Sequence, residues 1–389
     1  MNSRRIPLST VCWLVFSITV QGQTVKSLNV VTNHILYEPV SGKIYASVPS
    51  SAGSNGNSIV TIDPTRPAIV RYVFIGSEPD VLAASDDGQF LYAGLDGADA
   101  VRRYTIATHS AGLQFSLGNG YTAADLKVLP GEPHSLAAAL GYSVAIYDDG
   151  VQRPNVASGL MNSLALSNSA AVLYAQDTQD SAGTLFALAV NSTGVSVSNS
   201  ANGELGGLII SDPGTDLIYD TYGGVADGKS LTLLGAFSQA VRAYNYYGTT
   251  SGAIGGIVPD AANGRVFFLV YDSLSQTNAV TIAAFDSATF MPVGSLVIPN
   301  VLTSSSNQGA ATDLVPWGGD GLAFRTTNGQ IWLVNGRTFP GLADFQLSAT
   351  KVVGGATVTG TVALTRPAPP AVPLSISSPP TTSLRRQPA

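Results

Sequence analysis

The chain has 389 residues, of which 45% are hydrophobic and only 11% are charged, and it contains 41 glycines. This composition excludes an intrinsically disordered protein and favours short strands joined by tight turns, which means an all-β fold. The formal net charge is −6, the isoelectric point is near 5.0 and no basic run interrupts the main body, so we expect no binding to nucleic acid.

The N-terminus has the pattern of a secretory signal peptide. Arg4 and Arg5 precede a short apolar segment, and small residues follow it. A membrane anchor is the alternative, but the apolar segment is short for a bilayer span and no basic stop follows it. We predict cleavage between Gly22 and Gln23 and a protein that is secreted, periplasmic or on a bacterial cell surface, without a transmembrane span. The single cysteine, Cys12, lies in this segment, so the mature chain would have no thiol chemistry.

The chain then repeats a four-part pattern of an apolar strand, a polar turn, a second strand that often contains Tyr, and two further strands. The second strand is the easiest to see, in GKIYASV from Gly42, GQFLYAGL from Gly88, AAVLYAQD from Ala170, TDLIYDTY from Thr215 and GRVFFLVY from Gly264. Third strands follow in NSIVTID from Asn57, DAVRRYTI from Asp99, YSVAIYD from Tyr142, GTLFALAV from Gly183, NAVTIAAFD from Asn278 and GQIWLVN from Gly329. In the fifth unit, SLTLLGAF from Ser230 takes this position.

The repeat has the period of a propeller blade. First strands are predicted to begin near Asn33, Asp80, Asp125, Asn162, Gly207, Gly256 and Asp313. Their spacing of 37 to 57 residues suits four-stranded blades, which cannot cover their apolar faces alone and therefore pack around an axis. A β-sandwich is the alternative, but recurrence of the same four-part order favours a seven-bladed β-propeller.

The two ends of the propeller are predicted to share one blade. The seventh unit offers only three strands, DLVPW, GLAFRTT and GQIWLVN, whereas TVKSLNVVT from Thr24 has no companion strands. We therefore predict that the strand around residues 27–31 is the fourth strand of the last blade, and that the propeller occupies residues 23–341 after a signal peptide at 1–22.

The segment from residue 42 to 108 carries a family resemblance. Its sequences KIYASV, SIVTID, IGSEPDVLAASDDGQFLYAGL and AVRRYTI resemble the YVTN-type repeat of bacterial and archaeal β-propellers, which is related to seven-bladed lactonase-like propellers. The resemblance implies the fold for residues 23–341 but no particular activity, because propellers of this type include surface proteins, binding modules and enzymes. No lactonase motif is present on which catalytic residues could be placed.

The C-terminal segment, residues 342–389, changes in character. From Phe345, FQLSATKVVGGATVTGTVALTRPAPP resembles the opening strands of a bacterial immunoglobulin-like repeat. A complete domain of that type needs about 100 residues, and fewer remain. We expect an incomplete Ig-like segment with a disordered tail, or one or two strands added to the propeller.

Histidine and loop aspartates offer little chemistry. His34, His109 and His134 fall at different positions of the repeat, so neither a metal cluster nor a Ser-His-Asp arrangement is expected, and only His34 is a candidate to face the channel. The segments DGAD at 96–99 and DTQD at 177–180 lack the ligand spacing of an EF-hand and are better explained as turns.

One constellation predicts a site at the mouth of the channel, where the first strands begin. Polar residues at these starts come from five blades and converge there: Asn33 with His34, Asp80, Asp125, Asn162 and Asp313. Loops between second and third strands should lie on the same face and carry Asp96, Asp99, Asp177, Asp180, Asp227 and Asp272. Asp80, Asp125 and Asp313 are candidate ligands of a divalent cation, for which calcium suits oxygen ligands best. The favoured alternative is that Asp and Asn simply begin strands by bonding local backbone N–H groups.

Two function classes follow. The favoured one is a monomeric, non-enzymatic exported propeller that binds a protein, glycan or small-molecule ligand through its acidic loop face, with no cofactor other than the candidate calcium. The alternative is a lactonase-like or other hydrolytic enzyme with its site in the central channel. A buried carboxylate with a perturbed pKa beside a second titratable group would favour the enzyme.

Overall fold

The computed structural model describes residues 24–179, 183–237, 252–272, 279–301 and 311–337, together with the backbone of 342–347 and 360–364. Helix in this part of the chain is limited to three 3-10 segments, at Ser50–Asn55, Asp96–Ala98 and Ala261–Asn263. None of the described helices has the length and apolar character needed to cross a membrane.

The strands form seven antiparallel sheets that follow one another along the chain, as the repeat predicts. In each of the first four blades, the strands run in chain order from the central channel outward. Blade 1 contains His34–Glu38, Lys43–Val48, Ser58–Asp63 and Ala68–Phe74; blade 2 contains Pro79–Ala84, Phe90–Leu95, Ala100–Thr105 and Ser110–Ser116. Blade 3 contains Asp125–Val128, Ser135–Ala139, Gly141–Asp148, and the two short outer strands Val151–Gln152 and Ala157–Met161; blade 4 contains Ser163–Leu166, Val172–Gln176, Thr184–Asn191 and Gly194–Asn202.

The remaining three blades complete the ring. Blade 5 contains Ile209–Asp212, Leu217–Asp220, Gly224–Asp227 and Leu233–Ala236; blade 6 contains Gly252–Asp260, Arg265–Asp272, Ala279–Asp286 and Pro292–Pro299. Blade 7 contains Ala311–Trp317, Gly321–Thr326 and Gln330–Asn335, and its outermost strand is Thr24–Asn29 from the other end of the chain. In this closure Ser27 lies opposite Trp332, so the predicted joining of the two ends is confirmed.

The core lies between the blades. The cluster between blades 1 and 2, for example, joins Tyr45 and Ile59 to Leu82 and Leu91. Each inner strand is therefore covered on both faces by neighbouring sheets, which explains the fully buried third strand of blade 1. Outermost strands contact solvent on one side, so Ala68–Phe74 is mostly exposed. The apolar runs of the repeat follow from this layering.

The recurring tyrosine of the second strand ties one blade to the next. Tyr92 donates a hydrogen bond to the carbonyl oxygen of Pro133 in blade 3, at 2.8 Å. Tyr174 in blade 4 donates to Asp216 in blade 5, at 2.9 Å. Burial raises the pKa of Tyr174, so the hydroxyl stays protonated and able to donate. A side chain with an apolar body and a polar tip suits this position between two sheets.

Two details of the predicted order need correction or refinement. In blade 5 the third strand is Gly224–Asp227, and the segment from Ser230 supplies the outermost strand Leu233–Ala236 instead. Strand propensity favours the longer apolar segment from Ser230 as the third strand. In the structure, however, the strand that pairs with Leu217–Asp220 is the nearer segment Gly224–Asp227.

In the C-terminal part, Leu342–Leu347 pairs with Gly360–Leu364 in a separate two-stranded sheet, which does not extend any blade. The Ig-like assignment of residues 342–389 stays a prediction.

Candidate functional site at the channel mouth

A cavity of about 400 Å³ opens at the end of the channel where the innermost strands begin. All six residues predicted for the mouth line it: Asn33, His34, Asp80, Asp125, Asn162 and Asp313. Radial packing explains this convergence, because each blade presents the start of its innermost strand to the axis. The volume is in the range of pockets that hold a small molecule.

Several of these polar side chains hold neighbouring blades together. The Asn33 amide nitrogen of blade 1 donates to the Pro79 carbonyl oxygen of blade 2, at 3.0 Å. One carboxylate oxygen of Asp125 in blade 3 accepts a hydrogen bond from the Leu164 backbone N–H of blade 4, at 2.8 Å. The other oxygen accepts from the adjacent Leu126 N–H, also at 2.8 Å. The start of a strand therefore explains only part of the occurrence of Asp and Asn at these positions. Hydrogen bonds from these side chains to the next blade explain more of it.

Two cations that sequence analysis missed neutralise two of the aspartates. The Lys127 ammonium lies 2.6 Å from Asp125. The Arg325 guanidinium pairs with Asp313 and also donates to the Thr32 carbonyl oxygen at 2.8 Å. Lys127 could have been found, since it lies two residues after Asp125 in one strand and such residues share a face. Arg325 needed the hairpin register, which places it opposite Thr312.

The candidate calcium site at Asp80, Asp125 and Asp313 gains no support from this arrangement. Within the described ranges, no three His, Cys, Asp or Glu side chains come close enough to hold a metal ion. The ion pairs give the physical reason, because Lys127 and Arg325 already occupy the positions at which a cation would relieve repulsion. Calcium binding at the mouth stays a prediction without a ligand cluster to carry it.

Asp80 differs from the other carboxylates of the mouth. No hydrogen bond or ion pair reaches its carboxylate from the described part of the chain. Burial raises the pKa of Asp80 to about 6, and the negative charge of Asp96 adds to this shift, while Arg325 opposes it. Asp80 is thus the carboxylate whose charge the protein leaves uncompensated, and it changes protonation state close to neutral pH.

His34 also keeps an unused polar atom. Its Nδ1 is buried and has no hydrogen-bonding partner among the residues that the structure describes. Burial lowers the pKa of His34 below the usual range, against the opposing effect of Asp313, so the ring is neutral at neutral pH. The ring therefore adds no charge to the cavity.

The opposite side of the mouth is apolar. In a ring of seven, blade 2 with Asp80 faces blades 5 and 6. These two blades line the cavity with four apolar side chains, Leu208, Ile209, Ile210 and Ile257, of which Ile209 and Ile257 are largely buried, and with Thr221. Leu208 is 55% exposed and Ile210 is 36% exposed, so an apolar surface is available to a ligand. The sequence already indicated an apolar side, because the predicted first strands of blades 5 and 6 are the ones that do not begin with Asp or Asn.

The loop aspartates behave mainly as turn residues. Asp99 adopts a left-handed backbone conformation and accepts a hydrogen bond from the Gly120 N–H at 2.8 Å. Asp177 accepts from the Gln179 N–H at 2.8 Å. Burial and the charges of Glu78 and Asp99 raise the pKa of Asp96.

The predicted placement of Asp227 on the mouth face is wrong, because Asp227 ends the third strand of blade 5 and lies at the opposite end of the ring. Asp180 and the side chain of Asp272 lie outside the described residues.

The other two histidines are remote from the mouth. His134 lies at the far end of blade 3, where its Nδ1 is 2.9 Å from the Asp149 carboxylate. His109 is in the turn between the outer strands of blade 2 and approaches the Tyr104 hydroxyl at 3.5 Å. The three histidines therefore do not meet, in agreement with the prediction from the repeat.

Replacement of Asp80 by Asn tests the state of this carboxyl group. A pKa that is higher in the folded than in the unfolded chain costs stability whenever the group is ionised. The penalty is complete above pH 6 and disappears as the pH falls from about 6 toward 4. We expect Asp80→Asn to stabilise the protein at pH 7.5 by about 1 kcal/mol, a value reduced for solvent in the channel, and to have little effect at pH 4. Denaturant titration at both pH values measures the difference; an equal effect at both would show that Asp80 has an ordinary pKa.

Comparison with known proteins supports the fold. The structure is similar to the β-propeller domain of Cps50 (Swd1) from Myceliophteria thermophila, with a TM-score of 0.61 and 12% identity, over 80% of this chain and 99% of that one. The chain is a seven-bladed β-propeller. Because 1363 chains of solved structures match it, the fold is too widespread to indicate a ligand. No family model matches the chain. No curated protein matches it.

Proposed function

We propose that this β-propeller is a binding module whose ligand site is the channel mouth. One observation carries the proposal: a cavity of about 400 Å³ combines an apolar wall with polar atoms that the fold leaves unused. Most polar groups around it serve contacts within or between blades, whereas the Asp80 carboxylate has no such partner among the described residues. Binding sites commonly pair an apolar surface with a few such polar groups.

The proposed location is outside the cytoplasm. The Arg4–Arg5 pair with the following apolar segment supports export, and the resemblance of residues 42–108 to YVTN-type repeats suits a secreted, periplasmic or cell-surface protein of bacterial type. N-terminal sequencing of the protein from an exported fraction should begin near Gln23. An intact Met1 on the protein in the cytoplasm would contradict export.

A matched pair of leucines in blade 5 tests the binding proposal. Leu208 lines the mouth and is 55% exposed; Leu234 lies on the outermost strand and is 53% exposed. We expect Leu208→Trp to narrow the cavity and to abolish the stabilisation that a ligand gives by binding the folded state. Leu234→Trp should leave it unchanged.

The measurement is a thermal-shift screen of both variants and the parent with a library of small anions, cations and neutral sugars at millimolar concentration. The binding proposal expects compounds that raise the Tm of the parent and of Leu234→Trp, but not that of Leu208→Trp. Compounds that act equally on all three proteins would show that the mouth is not the site.

A hydrolytic enzyme is the second candidate, and one observation favours it. A carboxyl group with a pKa of about 6 can act as a general acid or base near neutral pH. The neighbouring His34, however, has no nucleophile hydrogen-bonded to its Nδ1 in the described part of the chain. Assays with a panel of lactones and esters decide the point: hydrolysis that Asp80→Asn abolishes supports an enzyme, and a rate equal to buffer contradicts it.

A further inference from the structure

Among the described side chains at the mouth, one charged group has no partner of opposite charge. Six of the described residues that line the cavity are ionisable: His34, Asp80, Asp125, Lys127, Asp313 and Arg325. Four of them form two ion pairs, between Asp125 and Lys127 and between Asp313 and Arg325. The His34 ring is neutral because it is buried. Among the described side chains that line the cavity, Asp80 is therefore the carboxylate without a cationic partner, and it is negatively charged at neutral pH.

Asp80 is available to a ligand on geometric grounds. Its carboxylate lines the cavity, and neither a hydrogen bond nor an ion pair engages it among the residues described. The carboxylates of Asp125 and Asp313 have bonding partners in addition to their cations: Asp125 accepts from the Leu164 N–H, and Asp313 accepts from the Thr312 hydroxyl at 3.1 Å. A cationic group that enters the mouth would thus find, among the described residues, an unpaired carboxylate on blade 2.

The remainder of the ligand must suit an apolar surface. Leu208 and Ile210 are the exposed apolar side chains on the side of the cavity that faces blade 2. A hydrated divalent metal ion gains nothing from such a surface and needs several oxygen ligands. An alkylammonium group needs only one carboxylate as a partner, and its carbon chain gains free energy by covering apolar side chains.

We propose that the channel mouth binds a small organic cation, whose ammonium group pairs with Asp80 and whose hydrocarbon part lies on Leu208 and Ile210. The proposal rests on the mouth being a ligand site, and it adds the chemical class of the ligand. A cavity of about 400 Å³ accommodates an alkylamine or a similar compound of drug size or smaller.

Three probes of similar shape and different charge test this inference: n-hexylamine, n-hexanol and n-hexanoate. Isothermal titration at pH 7.5 with the parent protein should show the amine binding at least tenfold more tightly than the alcohol, and no binding of the carboxylate. Calcium chloride serves as a fourth probe. At pH 5 the affinity for the amine should fall by about tenfold, because only about one tenth of a carboxyl group with a pKa near 6 remains ionised.

Two substitutions locate the effect. Asp80→Asn keeps the shape of the side chain and should reduce amine binding at least tenfold at pH 7.5, while the weaker binding of hexanol persists. Asp286→Asn removes a carboxylate in the turn after the third strand of blade 6, at the other end of the ring, and should leave amine binding unchanged. Circular dichroism and Tm verify that both variants are folded.

The outcomes separate the inference from the binding proposal. If hexanol or hexanoate binds as tightly as hexylamine, and Leu208→Trp abolishes that binding, the mouth is a ligand site but the cationic class is wrong. If calcium alone binds and Asp80→Asn removes it, the inference is overturned in favour of the metal prediction. Absence of amine binding, or amine binding that Asp80→Asn leaves intact, also overturns it.

Discussion

A chain that begins at Val30 instead of Thr24 is expected to lose most of its stability. The strand Thr24–Asn29 pairs along its whole length with Gln330–Asn335, and it is what joins the first and last blades. Its side chains add packing, since Leu28 and Val25 contact the clusters on the two sides of blade 7. Several backbone hydrogen bonds at about 1 kcal/mol each and two partly buried side chains amount to about 5 kcal/mol.

That loss is comparable with the total stability of an ordinary domain. The truncated chain should therefore melt far below the parent, and it should aggregate because removal of the strand exposes the edge of Gln330–Asn335. Calorimetry and light scattering measure the two effects. A synthetic peptide of residues 24–29 added in excess should restore part of the lost Tm, whereas a peptide of scrambled order should not.

A substitution control separates the backbone pairing from the side chains. Lys26 and Ser27 are exposed, so Lys26→Ala with Ser27→Ala should keep the parent Tm within about 1 °C, because surface changes rarely exceed about 0.5 kcal/mol. A truncated chain that melts like the parent would mean that the ring does not depend on this strand.

Replacement of Gly255 by alanine is expected to be strongly damaging for a single added methyl group. The innermost strand of blade 6 has a register shift between Ile254 and Gly256, and Gly255 lies at this irregularity. A Cβ on Gly255 would lie 1.7 Å from the carbonyl oxygen of Ala311 in blade 7. The obstacle is backbone and not the end of a flexible side chain, so the two blades would have to separate.

We expect Gly255→Ala to cost more than about 3 kcal/mol, which for a propeller of this size corresponds to a fall in Tm of about 4 °C or more. Gly319→Ala is the matched control, because nothing lies within 4 Å of the position of its Cβ. Differential scanning calorimetry of both variants gives the comparison. If Gly255→Ala melted like Gly319→Ala, the close approach of blades 6 and 7 would be refuted.

The fold was largely predictable from the sequence, because the pattern of strands and turns that specifies each blade is local and recurs along the chain. The units repeat the same order of strand, turn and second strand, which often contains Tyr, and seven copies with the period of a blade leave few alternatives to a propeller. Ring closure was predictable for the same reason, since a three-stranded last unit and an unaccompanied first strand complete each other. Blade 5 was misassigned at its third strand because Gly224–Asp227 is only four residues long and register, not propensity, selects it.

The residues at the mouth of the channel could be predicted only in part from the sequence. The periodicity by itself placed Asn33, Asp80 and Asp125 at one end of the ring, because strand starts in successive blades must converge. It could not decide which carboxylate stays free, because the pairing of Asp313 with Arg325 depends on a hairpin register. Only the pairing of Asp125 with Lys127, two residues apart in one strand, was accessible from the sequence. The raised pKa of Asp80 arises from burial and from Asp96, and neither is encoded in any one segment of the chain. Sequence thus determined the architecture, because local patterns repeat along the chain, and tertiary structure alone decided the charge of the site, because charges interact through space.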